Sequence, residues 1–290
     1  MPGRSPGLTT LLFALSVGAC SDVPPPEASG APGGFDVVDA SGTVHHMEGP
    51  ARRIISLVPS ATLSLRAMGA GDLLVARTDY DTAGWTQHLP SVGGGLLPSH
   101  ETLVALEPDL VIRFDGEQDV ETPAVLDQLG IRHVSIRPDR IEDIREAITI
   151  LGAVAGRASA ADRLLRDLDA ALLQVRDEAA GRDPVRVAYV LGGTPPWVAG
   201  PGTYVHEVLE VAGGVNVFQD LGRLYASVSP EEFVAREIDV ILTPVATSLP
   251  AGLPHGARVV EVGDLLELPG PNVGAVARRV AQILAGGDGA

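Results

Sequence analysis

Lysine is absent from this 290-residue chain; all 21 basic residues are arginine. A Walker A phosphate loop, a Schiff-base lysine and a pyridoxal-phosphate lysine are therefore excluded together. Cysteine occurs once, at Cys20, so neither an internal disulfide nor a Cys-x-x-Cys zinc or redox site can form. Positive charge is scarce beside 37 acidic residues, a formal net charge of −16, and nucleic-acid binding needs the opposite balance. No apolar run reaches the ~20 residues of a membrane-spanning helix. There is no Gly-x-Ser-x-Gly elbow. His206-Glu207 lacks the second histidine of a zinc-protease helix, because position 210 is Glu210. Gly69-Ala70-Gly71 lacks the third glycine of a dinucleotide fingerprint. Only His45 and His46 are adjacent histidines, on a hairpin-like segment where neighbouring residues face opposite ways and make a poor two-ligand site. These absences leave no catalytic residue, metal ligand or cofactor to name, although His100, next to Glu101, keeps an extracytoplasmic hydrolase open as an alternative.

What is present is ordinary globular material: 45% hydrophobic and 20% charged residues. The length suits one large domain or two lobes. At the N-terminus, Arg4 precedes an apolar stretch from Leu8 to Val17, followed by Gly18-Ala19-Cys20. Small residues ahead of the sole cysteine resemble the lipobox of bacterial lipoproteins. That resemblance implies a signal peptide over 1–19 and a lipid on Cys20; an ordinary signal peptide cleaved after Ala19 is the plainer reading. Residues 20–34 are rich in Pro, Gly and Ser and read as a flexible tether. The expectation is an extracytoplasmic protein, on the periplasmic or cell-surface side, lipid-anchored to a membrane.

Phe35–Val38 and Thr43–His46 flank Ala40-Ser41-Gly42 and predict a hairpin. Arg53–Leu57 reads as a buried strand, with Ser60 as N-cap of a helix running to Met68 and closed by Gly69. Further short apolar runs at 73–76, 109–112, 132–136, 185–191, 239–242 and 258–262 alternate with helical patterns, which argues for α/β architecture with mostly parallel sheets flanked by helices. Residues 99–112 (SHETLVALEPDLVI) and 229–242 (SPEEFVAREIDVIL) repeat one another at constant offset. Each copy is a capped helix start feeding a buried strand, and Ser229-Pro230 with Glu232 is a full start signal. Arg53–Leu57 and Arg186–Leu191 look like the first strands of two related halves. Between them, Ile141–Gly156 reads as one helix and Ala158–Ala180 as a long uninterrupted one, apolar at Leu164, Leu165, Leu168, Ala171, Leu172 and Val175. The predicted organisation is an N-terminal lobe over 35–156, a bridging helix over 157–180 and a C-terminal lobe over 181–290.

Taken in order, RIISLVPSATLSLRAMGAGDLLV from Arg53, Asp79-Tyr80, LPSVGG at 89–94, LVALEPDLVI at 103–112, the long helix, VLEVAGGVNVF at 208–218 and VSPEEFVAREIDVIL at 228–242 resemble the substrate-binding proteins of ABC importers for cobalamin, haem and ferric siderophores. The resemblance implies two lobes bridged by one interdomain helix, with a bulky metal chelate gripped between them. It also implies an importer permease and its ATPase as partners, and a monomer. Cobalamin or a related corrinoid is the leading ligand, with haem or a ferric siderophore as alternatives; a sensor or storage protein without an importer is another. The chain departs from the family between 243 and 257, where a longer segment with a short helix is usual.

Tyr80, Trp85, Phe114, Trp197, Tyr204 and Tyr225 all fall in loops or helix starts beyond predicted strands, where open α/β sheets bind ligands. Large flat side chains there suit a flat, partly apolar macrocycle; packing within each lobe's own core is the alternative for each ring. The cobalamin-binding members resemble this chain in having aromatics at Tyr80, Phe114, Trp197 and Tyr225, and differ in having a tryptophan near Gly95. Haem-binding members often carry a tyrosine ligand where this chain has Gly94. Binders of anionic siderophores line the cleft with arginine, for which Arg77, Arg113 and Arg223 are the candidates. Glu101 and Glu231 occupy matched helix starts. Each offsets the helix dipole, and by resemblance each docks one lobe on arginines of the permease.

Overall fold

The computed structural model describes residues 33–245 and 256–287; Cys20 and most of the 243–257 segment lie outside them. The described residues begin with strands β1 (Phe35–Val38) and β2 (Val44–Met47), paired antiparallel as the turn residues predict. It continues through β3 (Ile54–Ser56), α1 (Pro59–Ala67), β4 (Leu74–Ala76), α2 (His100–Ala105), β5 (Leu110–Phe114), α3 (Thr122–Gln128) and β6 (His133–Ile136). Strands β3 to β6 form a wholly parallel sheet in the order β4-β3-β5-β6. Two helices come next, α4 (Ile141–Val154) and the long α5 (Ala158–Ala179).

The second half contains β7 (Val185–Gly192), β8 (Trp197–Ala199), α6 (Tyr204–Val211), β9 (Gly214–Asn216), β10 (Tyr225–Ser227), α7 (Pro230–Val234), β11 (Val240–Thr243), β12 (Arg258–Glu261) and α8 (Val273–Leu284). Its sheet runs β10-β8-β7-β11-β12, with β9 also on β7. The β9, β7, β11 and β12 pairings are parallel, while β8 and β10 are antiparallel additions. The architecture is thus two-lobed α/β with flanking helices.

The repeat has a physical signature at the start of each lobe's central strand. In the first half, Asp109 accepts from the backbone N–H of Arg52 (2.8 Å) and Arg53 (3.0 Å), and the Arg53 guanidinium donates to the carbonyls of Leu106 and Glu107. In the second half, Asp239 accepts from the Arg186 N–H at 2.8 Å, and the Arg186 guanidinium pairs with Asp239 and Glu237. One arginine–aspartate device fixes both strand starts, with the arginine's partners changed.

One sequence expectation is corrected. Ser60 does not cap α1; the helix begins at Pro59, the N-cap is Val58, and no side chain caps it. Proline at the first position has φ already set for the helix, so the start moves ahead of the serine. Ser99 and Ser229 do cap, accepting from Thr102 N–H (3.3 Å) and Glu232 N–H (3.1 Å).

The bridge, α5, buries Leu168, Leu172 and Val175 in a core that also holds Ile148 and Leu151 of α4, Val208 of α6, and Val276 and Val280 of α8. Glycines let the helices close on it. A Cβ on Gly152 would sit 2.5 Å from the Ala161 Cβ, and one on Gly274 would sit 2.6 Å from that of Ala171. The same hydrophobic core therefore spans both lobes, and Gly34–Ala290 packs as one unit. A polar clasp reinforces it. Glu207 of α6 accepts from the Ile141 N–H at the start of α4 (2.6 Å) and pairs with Arg140 (3.3 Å), and the Tyr204 N–H donates to the Asp139 carbonyl at 2.5 Å. A carboxylate from one lobe thus satisfies a helix N-terminus of the other.

Candidate ligand-binding cleft

Parallel strands deliver their C-terminal ends to one edge of the sheet, and the side chains just beyond them collect there. β3 leads through Leu57 and Val58 into Pro59, β4 leads to the loop carrying Tyr80, and β5 ends on Phe114. Together with the Gly94–Leu97 loop and Gln118 these residues enclose an open bay of about 630 Å³. Its lining is largely apolar, and Tyr80 (67% exposed) and Leu97 (76% exposed) present bare apolar surface to solvent. An open, mainly apolar concavity beyond the strand ends is where sheets of this kind hold ligands.

Tyr80 is also one wall of a narrower crevice of about 340 Å³. That crevice lies between the lobes: Thr62, Leu63 and Trp85 come from the first, and Asp264, Leu265, Leu268 and Asn272 from the second. The Tyr80–Trp85 loop is held in shape from within. Asp81 accepts from the N–H and the hydroxyl of Thr78, both at 2.8 Å, while its carbonyl accepts from Thr86 and Gln87. Trp85 is half-buried with the Arg66 guanidinium 5.2 Å above its ring, a cation–π contact that fixes the indole plane.

The structure therefore brings Tyr80, Trp85 and Phe114 around two adjoining cavities of the first lobe and the lobe junction. Trp197 and Tyr225 line neither. Trp197 opens β8, half-exposed, in register with Gly192 and Ser227. Tyr225 lies opposite Ala199 in β10, half-buried against the shared core. Burial, with the Asp139 carboxylate adding to it, pushes its phenol up to about 12. Tyr204 is buried in the core and donates its hydroxyl to the Leu266 carbonyl. It belongs to the packing and not to the cleft.

None of the three candidate arginines lines the bay or the crevice. Arg113 is 8% exposed and engaged by the Phe114 carbonyl, Asp119 and His133. Arg77 donates to the Thr78 carbonyl, and Arg223 lies elsewhere on the second lobe's surface. Gly95 has no room for any side chain, since a Cβ there would fall 2.2 Å from the Leu57 carbonyl oxygen. At Gly94 a Cβ would meet only the Tyr80 ring, at 4.0 Å.

Leu96 and Leu97 are site residues that sequence reasoning passes over, and an apolar pair directly after three glycines is the available signal. The contributions of Asp264, Leu265 and Leu268 carry no such signal, because they depend on how the lobes meet.

Glu101 and Glu231 sit in the first turns of α2 and α7, exposed, and neither carboxylate has an ion-pair partner among the described residues. One turn along, Val104 and Val234 are also exposed, at 49% and 53%. Each lobe thus presents an acidic residue beside an apolar one on a short capped helix. His100 is exposed, and among the described residues no group of three His, Cys, Asp or Glu side chains is placed to hold a metal ion.

Residues 54–246 match the profile of the periplasmic binding protein family, and the chain belongs to that family. Its relatives include the vitamin B12-binding protein of Vibrio cholerae, 31% identical over 195 residues that span 67% of this chain and 71% of the relative. The cobalamin-binding protein of Halobacterium salinarum is 28% identical over 256 residues, 82% of this chain and 69% of the relative. Among solved structures, the periplasmic vitamin B12-binding protein BtuF of Vibrio cholerae superposes with a TM-score of 0.70 at 27% identity, covering 81% of this chain and 97% of the other. The periplasmic haem-binding protein RhuT from Roseiflexus, in apo form, gives 0.71 at 26% identity over 80% and 97%.

Proposed function

We propose that this protein is a lipid-anchored, extracytoplasmic binding protein that captures cobalamin or a related corrinoid and delivers it to an ABC importer. The observation that carries the ligand choice is the character of the cleft. Its larger cavity is apolar and walled by Tyr80 and Phe114, and no guanidinium lines it or the adjoining crevice. Instead, the acidic residue the crevice offers is Asp264 of the second lobe, the Asp81 carboxylate being buried and engaged by Thr78. Such a site favours a large, uncharged, ring-shaped ligand whose rim carries hydrogen-bond donors. It disfavours the carboxylates of haem and anionic iron chelates, whose charge would go unpaired on leaving water. The names of relatives on both the vitamin B12 and the haem side are compatible with the family; the lining supports the corrinoid. The free carboxylates of Glu101 and Glu231, one per lobe, supply the docking points for a permease.

Tryptophan-fluorescence titration with cyanocobalamin, haemin and a panel of ferric siderophores tests the reading, with Trp85 at the crevice as reporter. Saturable quenching by cyanocobalamin at lower concentrations than by the others is expected. Preferential binding of haemin or a siderophore replaces the ligand, and no binding by any of them removes the macrocycle reading.

A further inference from the structure

We infer that the Tyr204 hydroxyl is a positioning group for the ligand site, setting the second lobe's wall of the crevice from within the core; this rests on the crevice being part of the ligand site. Tyr204 lines neither cavity. It opens α6, and its side chain is buried in the shared core. The start of α6 is fixed to the first lobe. The Tyr204 N–H donates to the Asp139 carbonyl at 2.5 Å, and Glu207, one turn on, accepts from the Ile141 N–H at 2.6 Å. Thr203 caps the helix, accepting from the His206 N–H at 3.1 Å. The phenol is thus carried on a helix start whose place is set by the first lobe.

What the phenol holds is the segment between β12 and α8. The hydroxyl donates to the Leu266 carbonyl. Leu266 lies between Asp264 and Leu265 on one side and Leu268 on the other, the residues that wall the crevice. The other backbone hydrogen bonds of this segment are local, from the Leu265 N–H to the Val262 carbonyl (3.2 Å) and from the Glu267 N–H to the Asp264 carbonyl (3.0 Å). Among the described residues, the Tyr204 bond is the one hydrogen bond that ties 264–268 to another element. The buried Leu266 side chain sets how deep the segment lies. Apolar burial is non-directional and leaves the peptide's orientation open; a directed bond to the carbonyl fixes it. That orientation places Leu265 and Leu268 opposite Thr62, Leu63 and Trp85 of the first lobe.

A neighbouring tyrosine supplies the contrast. Tyr189 of β7 is buried in the same core, and its hydroxyl has no hydrogen-bond partner among the described residues. Burial pushes both phenols up, and Glu267 adds to each, so both keep their proton. Removing the Tyr189 hydroxyl deletes a polar atom that no protein group satisfies. Removing the Tyr204 hydroxyl orphans a buried carbonyl and frees the segment. A freed segment holds its crevice-forming position only part of the time, and apparent affinity falls by that fraction.

The experiment compares Tyr204→Phe with Tyr189→Phe, each of which keeps its ring. Cyanocobalamin affinity is read by tryptophan fluorescence, and amide hydrogen exchange of the ligand-free proteins over 264–268 is read against α8. Tyr204→Phe is expected to weaken cyanocobalamin binding about fivefold, the scale of one hydrogen bond, and to raise exchange over 264–268 with α8 unchanged. Tyr189→Phe is expected to change neither. Unchanged affinity in Tyr204→Phe, an equal loss in Tyr189→Phe, or exchange rising over α8 as much as over 264–268 overturns the positioning role. So does a Tyr204→Phe chain that fails to fold, since the hydroxyl would then serve the fold. If cyanocobalamin does not bind the native protein, the ligand reading fails instead, and exchange over 264–268 alone decides whether the hydroxyl holds that wall.

Discussion

Asp39 lies in the turn between β1 and β2, 2% exposed, its two oxygens taken by the Ser41 N–H and hydroxyl, the Thr43 N–H, His45 and the Ser135 N–H of β6. Burial alone would raise its pKa, but the bonds from Ser41, His45 and Ser135 outweigh it and hold the carboxyl well below the usual range. A depressed folded-state value means that the stabilisation is complete above the ordinary aspartate value near 3.9 and is lost progressively as pH falls below it. Asp39→Asn should therefore cost ~2 kcal/mol at neutral pH, since an amide cannot accept at both oxygens. The gap between native and variant should narrow as pH falls below about 4, where the unfolded chain takes up a proton that the folded carboxylate resists. Denaturant unfolding at neutral pH and again in acid checks this, and a gap unchanged by acid would contradict it. None of this is legible in the sequence: Asp39 reads as one turn residue among several, because its bond to Ser135 depends on the hairpin lying across β6.

At the scale of elements, α2 and α7 are the parts most clearly written in the chain. Their Ser caps, first-turn glutamates and succeeding strands repeat in register, and both helices start where those signals place them. Each is anchored by one large buried side chain, Leu103 or Phe233, leaving the acidic face free. If these glutamates dock an importer permease as proposed, Glu101→Arg or Glu231→Arg should leave ligand affinity unchanged while sharply cutting stimulation of the importer's ATPase, because the reversed charge would meet the cationic partner that the docking reading requires. The double reversal should add little to either single one, since a two-point dock already fails with one point lost. Normal stimulation by the double variant would leave these residues only their helix-start role. Long periodic elements such as α5 are equally legible. The short β8, β9 and β10, and α3, are not: three to seven residues are too few for a period to show. The site divides in the same way. Strand ends can be read from the chain, and they point to Tyr80 and Phe114. Which aromatics share a cavity depends on strand order, and Trp197 falls outside both cavities.

For the whole molecule, the N-terminal pattern bears on where binding happens. If the Gly18-Ala19-Cys20 sequence is a lipidation signal, Cys20→Ala should move the protein from the membrane fraction to the soluble one without changing its affinity for ligand, because the cleft is built entirely from residues beyond 56. Fractionation decides it, and persistent membrane association would refute the lipidation reading. The folded body has a different history to tell through α5. Two halves that echo each other in sequence ordinarily suggest modules that can be cut apart, exchanged or recombined. Here the helix between them is not a linker but shared property: Ala161 seats it against one half through Gly152, and Ala171 against the other through Gly274. A fragment ending at either edge of that helix would strip an apolar face from whichever half remained. The duplication survives as a pattern, but neither copy retains the autonomy of a domain, and grafting this binding cleft elsewhere means carrying all of Gly34–Ala290.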